Sequence, residues 1–450
     1  MIPSNLIDAV ETIKRSVAQC LTATSIEQAC RAEGHRWRRR ELDPAKTIQA
    51  FIVQVLHGNT ACAHTVRLAH LNCSAEAYCQ ARARLPLSVY QRLLDETSQA
   101  ARRSCRLPVW HGHRTFLVDG SSFSMPDTSE LQASFGQPGG QRSGCGFPAA
   151  HWLTMFDARS GLLVKQLAMP LRTHDLSRVA ELHPELRAGD VLVGDVAFAS
   201  YAHLALLSRR KLHGVFRIHQ RQLVSFRKDR LLVGKQPKGT VARRATGRLI
   251  RKLGKYDQLV EYTKPGLRPA WISAEDYAQL PDTLVVREVR YHTKLRGGRT
   301  RIVTLVTTLL DPLVYPVEDL AALYGQRWRV ETNLSHLKTT MGMDVLHCQS
   351  VAGVLKEMAV YAIVYNLVRL VMIKAAGWQR TSVHSVSFVD ALRWLALGCQ
   401  TLVPLQLTVH PRRPQRVEPR VRKRRPKPFP LMRRPRRQLR QQLLRNTVAA

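Results

Sequence analysis

Residues 323–341, LYGQRWRVETNLSHLKTTM, decide how the rest of the chain is read. Leu323, Val330, Leu334, Leu337 and Met341 recur at spacings of seven, four, three and four, so a helix advancing about 100° per residue carries them all on one side. That side is expected to face a core. Tyr324, Arg327, Glu331 and Lys338 fall on a second stripe, within an arc of roughly 60° along the border of the first. A helix laid on a core would hold this second stripe over the rim of the fold. One carboxylate flanked by Tyr, Arg and Lys suits phosphate chemistry, because the acid can hold a hard cation while the phenol and the cations grip a phosphodiester. The plainer alternative is a solvated face with i,i+4 pairing of Arg327 and Glu331.

Upstream, two short apolar stretches end in acids. Thr115-Phe-Leu-Val-Asp119 runs into the turn residues Gly120-Ser-Ser, and Val191-Leu-Val-Gly-Asp195 repeats the pattern. Between them, 152–156 and 162–167 form a hairpin pattern across 157–161, and 177–182 reads as a short helix stopped by Pro184. A helix at 201–211 and a strand at 214–218 follow. Strand, hairpin, helix, strand, helix, strand is the order of an RNase H-like α/β core, a mixed sheet flanked by helices. In that order the ends of the first and fourth strands are neighbours. Asp119 and Asp195 are therefore expected side by side, with the helix bearing Glu331 packed across the same end. Taken singly, a strand-end acid is equally at home as a turn former or a helix cap.

Around this core the chain divides by pattern. Residues 1–108 read as a helical N-terminal DNA-binding domain: Ile48, Phe51, Ile52, Val55 and Leu56 trace one helical face before Gly58, and further helices are expected at 63–70 and 87–103. The basic run 35–40 with Trp37 inside it could meet phosphates or stack on a base. Residues 109–218 form the first part of the core. Residues 219–311 alternate basic and β-branched residues and read as a β-rich insertion whose Arg243, Arg244, Arg248, Arg251, Lys252 and Lys255 would face DNA. Residues 312–400 complete the core with helices, including a buried one at 352–376 and an amphipathic one at 388–397. The Arg-, Pro- and Lys-rich tail, 401–450, is expected to be disordered and to bind polyanions without sequence preference.

Charge narrows the partners. Against 33 acidic residues stand 69 Lys and Arg, a net +36, while 45% hydrophobic content marks a globular chain. A polyanion is the expected partner. No membrane partner is expected, because the most apolar stretch, 354–376, is broken by Lys356, Glu357, Asn366, Arg369 and Lys374. Nine Cys without a Cys-x-x-Cys pair argue against a zinc finger or a disulfide framework. With no signal-peptide pattern in the opening residues, the reducing cytoplasm is the expected compartment.

The spacing Tyr324-x2-Arg327-x3-Glu331-x6-Lys338 resembles the signature of family-four bacterial insertion-sequence transposases. Val118-Asp119-Gly120-Ser121 and Gly194-Asp195-Val196-Ala197-Phe198 resemble the segments around the family's first two acids. The resemblance implies an RNase H-like fold with a β-strand insertion between the second and third acids. It also implies cut-and-paste movement of a DNA element by a DDE triad, here Asp119, Asp195 and Glu331. The triad would hold two divalent ions, Mg2+ or Mn2+, with Asp119 bridging both. Tyr324, Arg327 and Lys338 would position phosphate at the element's end.

The implied partners are double-stranded DNA, as terminal inverted repeats and target, and a second protomer in a homodimer assembled on that DNA. The implied place is the bacterial nucleoid. There is one departure. Members that excise through a DNA hairpin can carry a base-stacking Trp where this chain reads Thr300-Arg301-Ile302-Val303, and Trp271 lies far upstream of that place. Two further readings stay open: a metal-dependent endonuclease using the same acids without joining, and a DNA-binding protein without catalysis.

Overall fold

The computed structural model describes residues 21–38, 40–104, 107–140, 142, 144–236, 239–294, 300–396, 407–410 and 432–448. Helices come first: α1 Ala23–Ala32, α2 Pro44–Leu56, α3 Cys62–Leu68, α4 Ala75–Arg84 and α5 Leu87–Ser104. Thr22, Asp43 and Ser74 start three of them, each side-chain oxygen accepting a backbone N–H three residues on. After α2, Gly58 takes a left-handed φ of 71° one residue past the cap, where a side chain would be strained. α1 and α4 were not expected. α4 buries only Tyr78 and Ala81, a stripe too thin to register as periodicity.

The sheet then builds outward from its first strand. In chain order come β1 Thr115–Ser124, α6 Ser129–Phe135, β2 Ala149–Asp157, β3 Leu163–Pro170, β4 Val191–Gly194, α7 Tyr201–Arg209 and β5 His213–Arg217. β1 pairs antiparallel with β2 and parallel with β4, and β4 pairs parallel with β5. The order β3-β2-β1-β4-β5 is that of an RNase H-like core. Side chains alternate faces along each strand. Leu117, Val191, Val193 and Val215 enter one core, while Phe116, Val118, Leu192 and Phe216 enter the other. The helix expected at 177–182 is instead two 3-10 turns, Asp175–Ser177 and Val179–Glu185, the second enclosing Pro184, whose missing N–H an α-helix would need.

The β-rich stretch continues as β6 Leu231–Gln236, β7 Gly239–Arg244, β8 Arg248–Gly254, β9 Asp257–Thr263, α8 Ala274–Ala278, β10 Thr283–Lys294 and β11 Thr300–Thr307. β6 and β7 form a ribbon of their own. β11 hydrogen-bonds to β5, and β10, β9 and β8 follow, so one nine-stranded sheet runs through both parts. Residues 223–226 lie outside the strands; the Ser225 carbonyl accepts from Arg230 and from Gln258 of β9, beside the buried Arg230–Glu288 ion pair.

The remaining helices are α9 Val317–Gly325, α10 Trp328–Ser335, α11 Val351–Trp378, α12 Phe388–Ala396 and α13 Arg436–Val448. α11 is long and apolar enough to cross a membrane by length and composition, but here it is a core helix, buried along most of its length. α13 corrects the expectation of a disordered tail over its own residues, where the Pro-rich composition gives way to the helix formers of RRQLRQQLLR. Arg436, at its start, lies 4.4 Å over the Phe147 ring and 3.8 Å from Asp127. Residues 411–431 fall outside the described residues.

One buried pair makes this fold sensitive to acid. The His183 and His203 rings stack with their Nε2 atoms 3.2 Å apart. Burial, reinforced at His183 by His203 and Arg210, pushes their pKa values down to about 3 and about 4. Both are neutral in the fold, whereas an unfolded His takes up a proton below about pH 6.5. Their contribution to stability is thus complete above that pH and is lost as pH falls through it toward the folded values. Urea midpoints should drop between pH 7 and pH 5, and His183→Leu should flatten that slope by up to about 1.4 kcal/mol per pH unit.

Candidate active site

Two carboxylates reach the site because two parallel strands share a register. Thr115 lies opposite Val191 and Leu117 opposite Val193. Two residues further along the same register, Asp119 comes opposite Asp195. β4 stops at Gly194, where a Cβ would lie 2.7 Å from the Phe198 ring and 2.9 Å from Val118, so only glycine lets the chain turn there. Asp195 then leads into a 3-10 turn, Val196–Phe198.

The helical stretch 323–341 is segmented rather than continuous. α9 ends at Gly325. Gln326 and Arg327 keep right-handed helical angles, but the bonds there close after three residues, Arg329 N to Gln326 O at 2.8 Å and Val330 N to Arg327 O at 2.9 Å. α10 follows and passes into a π turn, His336–Thr340, closed by Met341 N donating to His336 O at 2.9 Å. The first step tightens the screw and the second loosens it. Between them they keep Leu323, Val330, Leu334, Leu337 and Met341 all buried. The π turn is held by His336, whose ring stacks on Phe388 at 4.2 Å.

On the bordering stripe, the Arg327 guanidinium stands between carboxylates. Its Nη1 donates to Asp119 Oδ2 at 3.3 Å and its Nη2 to Glu331 Oε1 at 3.2 Å. Tyr324 Oη donates to Asp195 Oδ1 at 3.5 Å. Lys338 Nζ donates to Ser121 Oγ at 3.1 Å, two residues along β1 from Asp119. All six stripe and strand-end residues therefore meet around one end of the sheet. Tyr324 and Arg327 are buried, while the Glu331 side chain is 45% exposed.

Burial raises the Asp119 carboxyl to about 6; Arg327 and the Gly120 N–H oppose that rise, and Asp195 and Asp175 add to it. Arg327 itself is held above the ordinary guanidinium value, because Tyr324, Asp195, Asp119 and Glu331 outweigh the penalty of its burial. Burial lowers Lys338, with Asp344 opposing. Three oxygen acids with no Cys or His are the donor set of a hard divalent cation. Among the described residues no three acids or imidazoles close on a common point, since Arg327 fills the gap between Asp119 and Glu331. The donors fit such a cation once Arg327 gives way, and a dication would offset the burial, and the lesser push of Asp195 and Asp175, that raise Asp119.

Sequence reasoning missed three neighbours of Asp119. Ser121 receives Lys338, Asp175 lies against Gly120, and His151 pairs with Asp175. No spacing in the chain ties the last two to the acid. Elsewhere, Arg248 pairs with Glu261 and Lys252 donates to the Phe226 carbonyl, while Arg243, Arg244, Arg251 and Lys255 are exposed. Trp271 packs against the second core and Ile302 is exposed. His35 stacks beside Trp37 at 6.0 Å; Arg39 of the basic run lies outside the described residues.

A family model described as the transposase DDE domain matches residues 110–367, more than half of the chain. The transposase InsG for insertion sequence element IS4, from Escherichia coli strain K12, is 26% identical over 303 residues, which cover 67% of this chain. The matched region spans 61% of that relative's length. Among solved structures, the piggyBac transposase synaptic complex with hairpin DNA aligns with a TM-score of 0.42 at 11% identity, covering 88% of this chain and 77% of that one.

The charge crowding has a measurable cost. A folded-state value raised to about 6 means that ionised Asp119 works against the metal-free fold at neutral pH, and that this burden is lifted as pH falls from 6 toward the unfolded value. Asp119→Asn should therefore stabilise the metal-free protein at pH 7.5 by about 1–3 kcal/mol in urea unfolding, an advantage that shrinks toward pH 4.

Proposed function

This chain belongs to the transposase DDE domain family, and we propose that it is a DNA transposase that moves an insertion sequence by cut and paste. It hydrolyses phosphodiester bonds at the element's terminal inverted repeats and joins the freed strand to target DNA. One observation carries the reading: Asp119 from the middle of β1, Asp195 from the end of β4 and Glu331 from a helix converge on Tyr324 and Arg327. Family members use divalent cations; here two Mg2+ or Mn2+ ions, when bound, would activate the attacking oxygen and stabilise the leaving one.

Asp119, Asp195 and Glu331 would hold that charge, as hard oxygen donors. Arg327, now neutralising Asp119 and Glu331, turns its fork to the phosphate as DNA arrives, since a guanidinium binds two oxygens at once. The Tyr324 hydroxyl hydrogen-bonds the same phosphate. Lys338, steadied on Ser121, sits further along β1 and sets the position of the neighbouring phosphate. In the first step a water oxygen bonds to phosphorus and the 3′ oxygen leaves as hydroxyl. In the second that hydroxyl, losing its proton, bonds to the phosphorus of a target phosphodiester, whose own 3′ oxygen leaves as hydroxyl.

The helical residues 1–108 are the unit expected to read the element's end. The β-rich stretch 219–311 offers the exposed Arg243, Arg244, Arg251 and Lys255 as backbone contacts. Two protomers on two ends form the working dimer, in the bacterial cytoplasm at the nucleoid. The net charge of +36 supports a large electrostatic share in DNA binding.

Incubating wild type with a supercoiled plasmid carrying the flanking inverted repeats, in Mg2+ or Mn2+, tests this reading. Wild type should release the element. Glu331→Gln should bind the ends equally in a gel shift yet cut slower by roughly a hundredfold or more, the equivalent of about 3 kcal/mol of transition-state stabilisation. Equal cutting by both would remove Glu331 from the site, and cutting without joining would favour a nuclease.

A further inference from the structure

Asp175 is a fourth acid beside the site. It opens the 3-10 turn Asp175–Ser177, but the cap of that turn is the side chain of His174, whose Nδ1 accepts Leu176 N at 3.2 Å. The Asp175 carboxylate lies instead against β1. A Cβ on Gly120 would come within 2.6 Å of Asp175 Oδ2, so the residue following Asp119 has to be glycine for this carboxylate to sit where it does. His151, opposite Ser122 on β2, donates Nε2–H to Asp175 Oδ1 at 2.5 Å. The turn also packs against Val196–Phe198, the segment that follows Asp195.

Asp175 thus lies against β1 just after Asp119, in a turn that packs on the segment following Asp195. It is 18% exposed and, among the described residues, pairs with no Lys or Arg. Placing a second negative charge near a crowded carboxylate costs stability and has no evident packing role in return. The same negative charge helps raise Asp119.

Resting on the transposase reading above, we propose that Asp175, oriented by His151, is a positioning residue of the transfer site. It fixes the backbone of β1 at Asp119–Gly120 and adds the negative field that gathers divalent cations there. Waters retained by a hard cation are natural hydrogen-bond donors to such an outlying carboxylate.

The test is Mn2+ binding by the full-length protein bound to a short terminal-repeat duplex, followed by electron paramagnetic resonance against the duplex alone. Asp175→Asn keeps the shape and loses the charge. It should weaken Mn2+ binding roughly tenfold or more, without lowering the melting temperature, with end binding unchanged and cleavage recovering at high Mn2+. A purely structural acid would let the amide pass unnoticed, so wild-type affinity in Asp175→Asn overturns the proposal. Should that variant fail to fold, His151→Leu decides: it leaves the acid but removes the donor that orients it, and undiminished Mn2+ affinity again overturns it. Asp119→Asn and Glu331→Gln separate the two levels. If they bind Mn2+ as wild type does, the transposase site and this inference both fall; if they lose it while Asp175→Asn does not, only this inference falls.

Discussion

The constraint on which the rest of the molecule depends is the burial of α11 together with the few polar groups it carries inside. A buried polar side chain costs about 1–3 kcal/mol when it lacks a partner, so each one on α11 admits few placements. Asn366 settles against β3, donating to Leu163 O at 2.9 Å and accepting from Leu163 N at 2.8 Å, as a neighbouring strand would. Tyr365 and Arg369 donate to the carbonyls of Gly161 and Ser160, in the turn between β2 and β3. Glu357 gathers the N–H groups of His347 and Cys348 and the amide of Asn59 at 2.6 Å. One helix thereby sets the hairpin, the segment leaving the π turn and the N-terminal helices relative to one another. Slipping it by a residue would strand all these groups at once.

The site inherits its precision from that frame. Asp119 and Asp195 are placed by strand register, which the pleat quantises in whole residues. Glu331 is placed by a helix, whose phase can be trimmed, and the tightened step at Gln326–Arg327 and the π turn at His336–Thr340 do the trimming. Phe388 of α12, with Tyr365 of α11 at 5.6 Å behind it, backs the His336 ring. The same hydrophobic frame that orders the sheet therefore sets how far Glu331 and Lys338 reach over its end.

Much of this was legible in the sequence where the periods are strong. The strand through Asp119 and the one before Asp195, the hairpin between them, and the apolar stripe from Leu323 to Met341 follow from alternation and from helical spacing; the first strand, however, does not end at Asp119 but runs through Gly120-Ser-Ser to Ser124, because those residues pair with β2 where a turn was expected. What escaped depends on single hydrogen bonds or on distant neighbours. Periodicity cannot see a bond closing after three or five residues instead of four, so the segmentation of 323–341 was hidden. The return of the β-rich stretch's last strand toward the core was expected, and β11 docks on β5; periodicity could not see that β10, β9 and β8 then extend the same sheet. Asp175 and His151 stand far from Asp119 in the chain and share no spacing with it; Gly120 was the one local trace, and it read as ordinary turn chemistry.

Arg327 explains how so much negative charge is tolerated before any ligand arrives. A buried carboxylate such as Asp119 is expensive to ionise, and a second acid nearby makes it more so. A guanidinium with five donors in a fixed fork can serve Asp119 and Glu331 together, and being almost undeprotonatable it does so at any physiological pH. The pairing is also loose enough to break, since both contacts exceed 3.1 Å and Glu331 is nearly half exposed. A tighter, fully buried pair would make the resting fold more rigid but would charge several kcal/mol for each opening. The observed arrangement keeps the acids apart and partly neutralised through two contacts that can open separately.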